Sequence, residues 1–302
     1  MARHCAEQPT VFHALVGIAL MGIMNHELAE MNQLPQLPNL YWAITALPEP
    51  PVDLQPAFEM EPAYYESAFP DFAKAIADGT PTKQWLMILE QMIRNPPWVQ
   101  LARGPLVQDE TTGESRRRED LDAVVQKALP VAKGVLDGAG VPKREIEEMS
   151  PAEAIVRAGF SGYGTYSEEL GKWARIPFWQ AKPGLERDLA ELGRLLNRAG
   201  VEGGQEASYM AVFMSVSRCQ RGLAGLRCLE AIRLYAATHR GKLPRRLEDI
   251  QEVPIPVNPL TGKSFPYRAE ERYVILDLDG DFALNYQWWI RLPDDVAAQP
   301  GD

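Results

Sequence analysis

Between Cys228 and Trp289 the chain is punctuated so closely that few folds remain open to it. Gly225, Cys228, Leu229, Ile232 and Ala236 recur with the period of one helix face. Gly241 is placed to leave that helix in the left-handed conformation, where a Cβ is costly, and Pro244 blocks its resumption. A short turn from Arg245 to Ile250 leads to Pro254, Pro256 and Pro259, whose missing amide protons keep the segment extended and out of a ladder. Thr261-Gly262-Lys263 turns the chain again. Arg272–Leu278 and Asp281–Ile290 then read as strands on either side of Asp279-Gly280, the dipeptide of a two-residue type I′ hairpin. The pattern predicts a long helix followed by an antiparallel β-hairpin.

Upstream, helical signals dominate. Val11–Met24 is the most apolar run, and its 14 residues fall short of the roughly 20 that span a bilayer. It reads as a core helix buried on all sides rather than a signal or anchor, so no transmembrane segment is expected. Thr80-Pro81 opens a helix to Arg94, with Trp85, Ile88, Leu89 and Met92 on one face, and Glu119–Leu136 forms another. Ser150 and Glu153 form a capping box for a helix expected to end at Gly159. GFSGYGTY (Gly159–Tyr166) reads as a flexible link, and Pro183–Ala199 as an amphipathic helix. Val201–Gly204 is the best boundary before a helix spanning Ala207–His239. The fold class is therefore mainly α with a small C-terminal α+β module. The expected domains are a helical region over 1–204 and a long helix with a small antiparallel sheet over 205–302.

A chain of 302 residues suffices for one large or two ordinary domains. Its net charge of −10 argues against nucleic acid and anionic membranes, both of which call for a basic surface. The three cysteines make no disulfide framework. Cys219 and Cys228 would lie on opposite sides of one helix, about 13 Å apart along its axis.

Two constellations could carry chemistry. His26-Glu27-x-x-Glu30 places two ligand types one turn apart with a carboxylate beside them, the germ of a zinc-hydrolase helix, but the second histidine is absent. The plain alternative is the polar end of an apolar helix. Asp277, Asp279 and Asp281 offer three hard oxygen ligands of the kind calcium takes, although aspartates beside an Asp-Gly turn are also what the turn itself favours. Gly159-Phe160-Ser161-Gly162 fails the spacing of a nucleophile elbow. No cofactor is expected. Trp288 and Trp289 alternate across the last strand, so one of them must face outward, toward the helical region or a protein partner.

Two resemblances follow from these residues. LYAATHRGKLP (Leu234–Pro244), then PVNPLTGKSFPY (Pro256–Tyr267) and a closing hairpin, resembles the globular half of type II secretion pseudopilins over about a fifth of the chain. Asn258 stands where that family usually has Asp, and no pseudopilin processing site precedes Cys228. The resemblance implies a head-like shape, a possible calcium site near the C-terminal loop and a place at the cell envelope. With PNLYWAITALPEP (Pro38–Pro50), the whole chain is similar to a family of bacterial proteins without assigned activity, whose longer members imply further helix ahead of Met1. Together these features favour a non-catalytic helical scaffold or interaction protein, with a metal-dependent hydrolase as the alternative.

Overall fold

A computed structural model of the chain describes residues 10–32, 37–68, 74–75, 81–94, 118–198, 205–269, 273–277 and 287–291. The helices are α1 (Val11–Asn32), α2 (Tyr41–Thr45), α3 (Gln55–Ala68), α4 (Thr82–Arg94) and α5 (Arg118–Gly138). They continue as α6 (Lys143–Glu148), α7 (Pro151–Trp173), α8 (Phe178–Arg198) and α9 (Gln205–Thr238). After a 3-10 turn at Leu247–Asp249 come β1 (Tyr267–Ala269), β2 (Tyr273–Asp277) and β3 (Gln287–Arg291). The strands form one antiparallel sheet in the order β1-β2-β3. The chain is mainly α with a small C-terminal α+β module, as its residue pattern predicts.

α9 organises the rest. Its 34 residues make a rod about 50 Å long. The first half, through Val212, Phe213, Val216 and Leu223, joins an apolar cluster with α1, α3, α7 and α8. The second half, through Cys228, Leu229 and Ile232, joins another with the sheet and its approach, including Leu247, Phe265, Val274 and Leu276. A helix buried by different partners along its length is apolar on several sides, which is why residues 223–232 show no polar stripe of ordinary width. The first cluster thus draws side chains from both sides of the 201–204 segment, which itself lies outside the described residues. Cys219 and Cys228 are both buried free thiols, pushed up by burial to about 11 and about 12.

Several expectations change on folding. α1 runs on through its polar exit to Asn32, as the residues up to Pro35 predict, but it is buried on one side only and not all round. Ala14, Ile18 and Met21 face the core while Phe12, Leu15 and Ile23 are exposed. Asn25 reaches across to donate to the Cys219 carbonyl at 3.0 Å, in a notch that only Gly222 leaves open: a Cβ there would sit 2.6 Å from its amide nitrogen.

GFSGYGTY is no link but the middle of α7. Glycine costs a helix about 1 kcal/mol relative to alanine, yet the helix runs on through these positions; a Cβ at Gly162 would meet Val135 at 3.6 Å and one at Gly171 would meet Phe58 at 3.8 Å, both ordinary contacts. Packing against α3, α4 and α5 overrides the local preference. The start of α7 is as expected, with the Ser150 hydroxyl accepting from the Glu153 amide at 3.3 Å, but the Glu153 carboxylate pairs with Arg157 at 3.0 Å. α8 begins at Phe178, a turn and a half before Pro183.

At the exit of α9 Gly241 takes the left-handed conformation expected of it, and the residue before it shares that region. Arg240 has φ 56° and Gly241 φ 78°, and the Gly241 amide closes onto the Ala236 carbonyl at 2.8 Å. In the sheet, β2 pairs antiparallel with β3, Asp277 standing opposite Gln287, and the turn expected at Asp279-Gly280 lies outside the described residues. Val274, Ile275 and Leu276 of β2 are buried and stand opposite Ile290, Trp289 and Trp288, and the burial of β2 fixes that register.

The NPLTGK turn is built by Asn258, whose side-chain oxygen accepts from the Leu260 amide at 2.9 Å while its carbonyl accepts from Gly262 at 2.7 Å. Gly262 has φ 69°, and a Cβ there would lie 2.7 Å from the Trp179 ring of α8. Gly262→Ala is therefore expected to cost about 1–2 kcal/mol from backbone strain alone, more if the indole cannot withdraw. Urea unfolding checks this, and a neutral result would mean that the turn is not clamped by α8.

Candidate functional site

Two glutamates are buried in the helical body, and each serves the start of a helix that belongs to another part of the chain. Glu61 lies on α3 and is almost wholly enclosed. One carboxylate oxygen accepts from the Val11 amide at the first residue of α1 at 3.2 Å, and the other accepts from the Tyr163 hydroxyl of α7 at 2.6 Å. The first amides of a helix have no partner within it, and a carboxylate there also meets the positive end of the helix dipole. Thr10 completes the cap, its hydroxyl accepting from the His13 amide at 3.3 Å. Tyr209 of α9 brings its hydroxyl to 3.5 Å from that of Tyr163 and packs edge-on to Tyr166.

Burial first, then the neighbouring Tyr209 and Glu61 oxygens, push the Tyr163 phenol far above its ordinary range, and burial pushes Tyr209 up to about 12. Both phenols therefore keep their protons at neutral pH, and Tyr163 acts as a donor, not a base. Tyr163→Phe removes a hydrogen bond to a carboxylate and should cost about 1.5–3 kcal/mol. Tyr209→Phe, at the outer limit of hydrogen-bond distance, should cost less. Equal losses in thermal or urea unfolding would contradict this ranking.

Glu230, in the second half of α9, is 0% exposed. Its carboxylate accepts from the Leu40 amide at 3.1 Å and from Arg233 at 2.9 Å, while its backbone carbonyl accepts from the Asn39 side chain at 2.8 Å. Arg233 also donates to the Leu37 carbonyl at 2.9 Å. Asn39 caps α2 by accepting from the Tyr41 amide at 3.0 Å, and the Tyr41 hydroxyl donates to the Pro254 carbonyl. The Tyr41 ring lies in the sheet-side cluster, and the Arg227 guanidinium sits 5.7 Å from its centroid. PNLYWA is thus the segment that joins the N-terminal half to the C-terminal module. Burial raises the Glu230 carboxyl, and Arg233 with the Leu40 amide only partly offsets this.

The residues singled out from the sequence are not gathered in this way. His26, Glu27 and Glu30 are exposed near the end of α1. Asp277 is the last residue of β2, whereas Asp279 and Asp281 lie outside the described residues. Among the described residues no group of three His, Cys, Asp or Glu side chains is placed to hold a metal ion. Glu61 and Tyr163 carry no local signal. Arg227, Glu230 and Arg233 do, being charges three residues apart on a helix otherwise apolar through Cys228, Leu229 and Ile232. Comparison of the chain with protein-family models, curated proteins and solved structures returns no match.

Proposed function

We propose that the chain is a non-catalytic helical scaffold that engages another protein through the outer face of α1, with a pseudopilin-like head at its C-terminus and a place at the cell envelope. The observation that carries this reading is the one-sided burial of α1. Only 22% of its apolar window is covered, and Phe12, Leu15, Ile23 and Met31 are exposed, with Ile23 at 61%. Exposed apolar residues in one stripe mark contact surfaces far more often than scattered single ones. The two buried glutamates, Glu61 and Glu230, are committed to helix starts, which is the work of a scaffold.

A second reading has its own support, because Val11–Met31 is also long and apolar enough to cross a membrane by length and composition. A photo-crosslinking residue at position 23, incorporated in cells, separates the two. Protein adducts that vanish when the probe is moved to the buried position 18 are expected. Lipid adducts alone, with co-flotation on vesicles, would favour the membrane reading and overturn the protein contact. Near-stoichiometric zinc or calcium in the purified chain would overturn the metal-free scaffold and return attention to His26, Glu27 and Glu30 or to Asp277, Asp279 and Asp281.

A further inference from the structure

We infer that the Glu230–Arg233 face of α9 is a peptide-docking site, filled in cis by the segment around Asn39–Tyr41 and able to accept the same segment from a second copy of the chain. The mode of contact carries the inference. Most elements of this fold meet through apolar side chains, but this segment is read through its backbone. The Leu37 carbonyl goes to Arg233, the Leu40 amide goes to Glu230, and the Asn39 side chain goes to the Glu230 carbonyl. Tyr41 then fills an apolar socket beneath, its ring wholly buried and its hydroxyl on the Pro254 carbonyl. Backbone capture by a polar pair beside one aromatic anchor is how proteins bind short peptides. The neighbouring Trp42 is 64% exposed, so the segment is gripped from one side only.

The choice of residues points the same way. Under a permanently closed segment, apolar side chains of similar size would hold as well as a buried ion pair or better, because the pair must be stripped of water. A charged pair is suited to a face that has to stay soluble when it is vacant. Glu230 and Arg233 are such a pair, 2.9 Å apart on α9 with Arg233 already reaching solvent. Exchange of such a segment between copies is a low-cost route to association.

The test uses the intact chain and a synthetic peptide of residues 37–47 made with heavy isotopes, so that its mass differs from that of the chain's own segment, read by hydrogen-exchange mass spectrometry. A tethered segment competes at an effective concentration in the millimolar range, so millimolar peptide should raise deuterium uptake in residues 37–47 of the chain while 224–234 stay protected. Asn39→Ala in the chain removes two of the segment's own bonds and should lower the peptide concentration needed by roughly tenfold. A peptide carrying Asn39→Ala and Tyr41→Ala should do nothing at the same concentrations. Unchanged uptake with the native peptide overturns the proposal, as does equal displacement by the substituted one. If the Asn39→Ala chain does not fold, the two peptides on the unmodified chain still decide the matter.

Discussion

Replacing Tyr41 by alanine is expected to remove about 3–5 kcal/mol of stability, the usual cost of emptying an aromatic site that cannot collapse. The ring is 0% exposed and sits among Leu229, Ile232, Val253 and Leu276, all of which lie more than 180 residues away in sequence. Tyr41→Phe should cost only about 1 kcal/mol, because the cavity stays filled and the loss is one hydrogen bond, to the Pro254 carbonyl. Urea unfolding followed at two wavelengths would measure both. If alanine costs no more than phenylalanine, the ring is not in the C-terminal core. The expected result also bears on domain organisation, since the sheet-side core is completed by a residue from near the start of the chain.

Glu230→Ala should be comparably severe at neutral pH, about 3–5 kcal/mol, because it strips both Arg233 and the Leu40 amide of a buried acceptor. Glu230→Gln keeps one acceptor oxygen and should lose about 1–2 kcal/mol. The two variants are further separated by pH. Burial leaves the folded Glu230 carboxyl above its unfolded value, so the folded chain binds the proton more tightly than the unfolded one. Stability from this group is then fully present at low pH and falls as pH rises from the unfolded value through the raised folded one. Glutamine cannot ionise and lacks that slope. The gap between the native chain and Glu230→Gln should therefore narrow as pH rises across that window, and a gap that widens would show that Arg233 outweighs burial.

The NPLTGK turn, the stop after His239 and the Ser150 cap were legible because each depends on backbone preferences of the residues themselves. Asn258 closes the turn with its own side-chain oxygen, and Gly262, lacking a Cβ, takes the left-handed backbone the turn requires. The α7 glycines misled for the same reason. Gly159, Gly162 and Gly164 weaken a helix in isolation, and nothing local reveals that α3, α4 and α5 pack along α7 and hold it together. The candidate site was hardly legible at all. Glu61 and Tyr163 are 102 residues apart, and Glu230 and Leu40 are 190 apart. The carboxylates chosen from sequence were chosen for closeness along the chain, whereas burial of a charge is decided by partners brought in from elsewhere.

By itself the sequence determined the class of the fold and the prolines and glycines where the C-terminal segment changes direction, since these follow from φ/ψ limits and from the period of apolar residues. Only the tertiary structure decided how far α1 is covered, how the strands are registered, and that Glu61 and Glu230 cap helices belonging to other segments. Those outcomes depend on long-range packing, in which a buried polar group must find whichever partner the folded chain brings within reach.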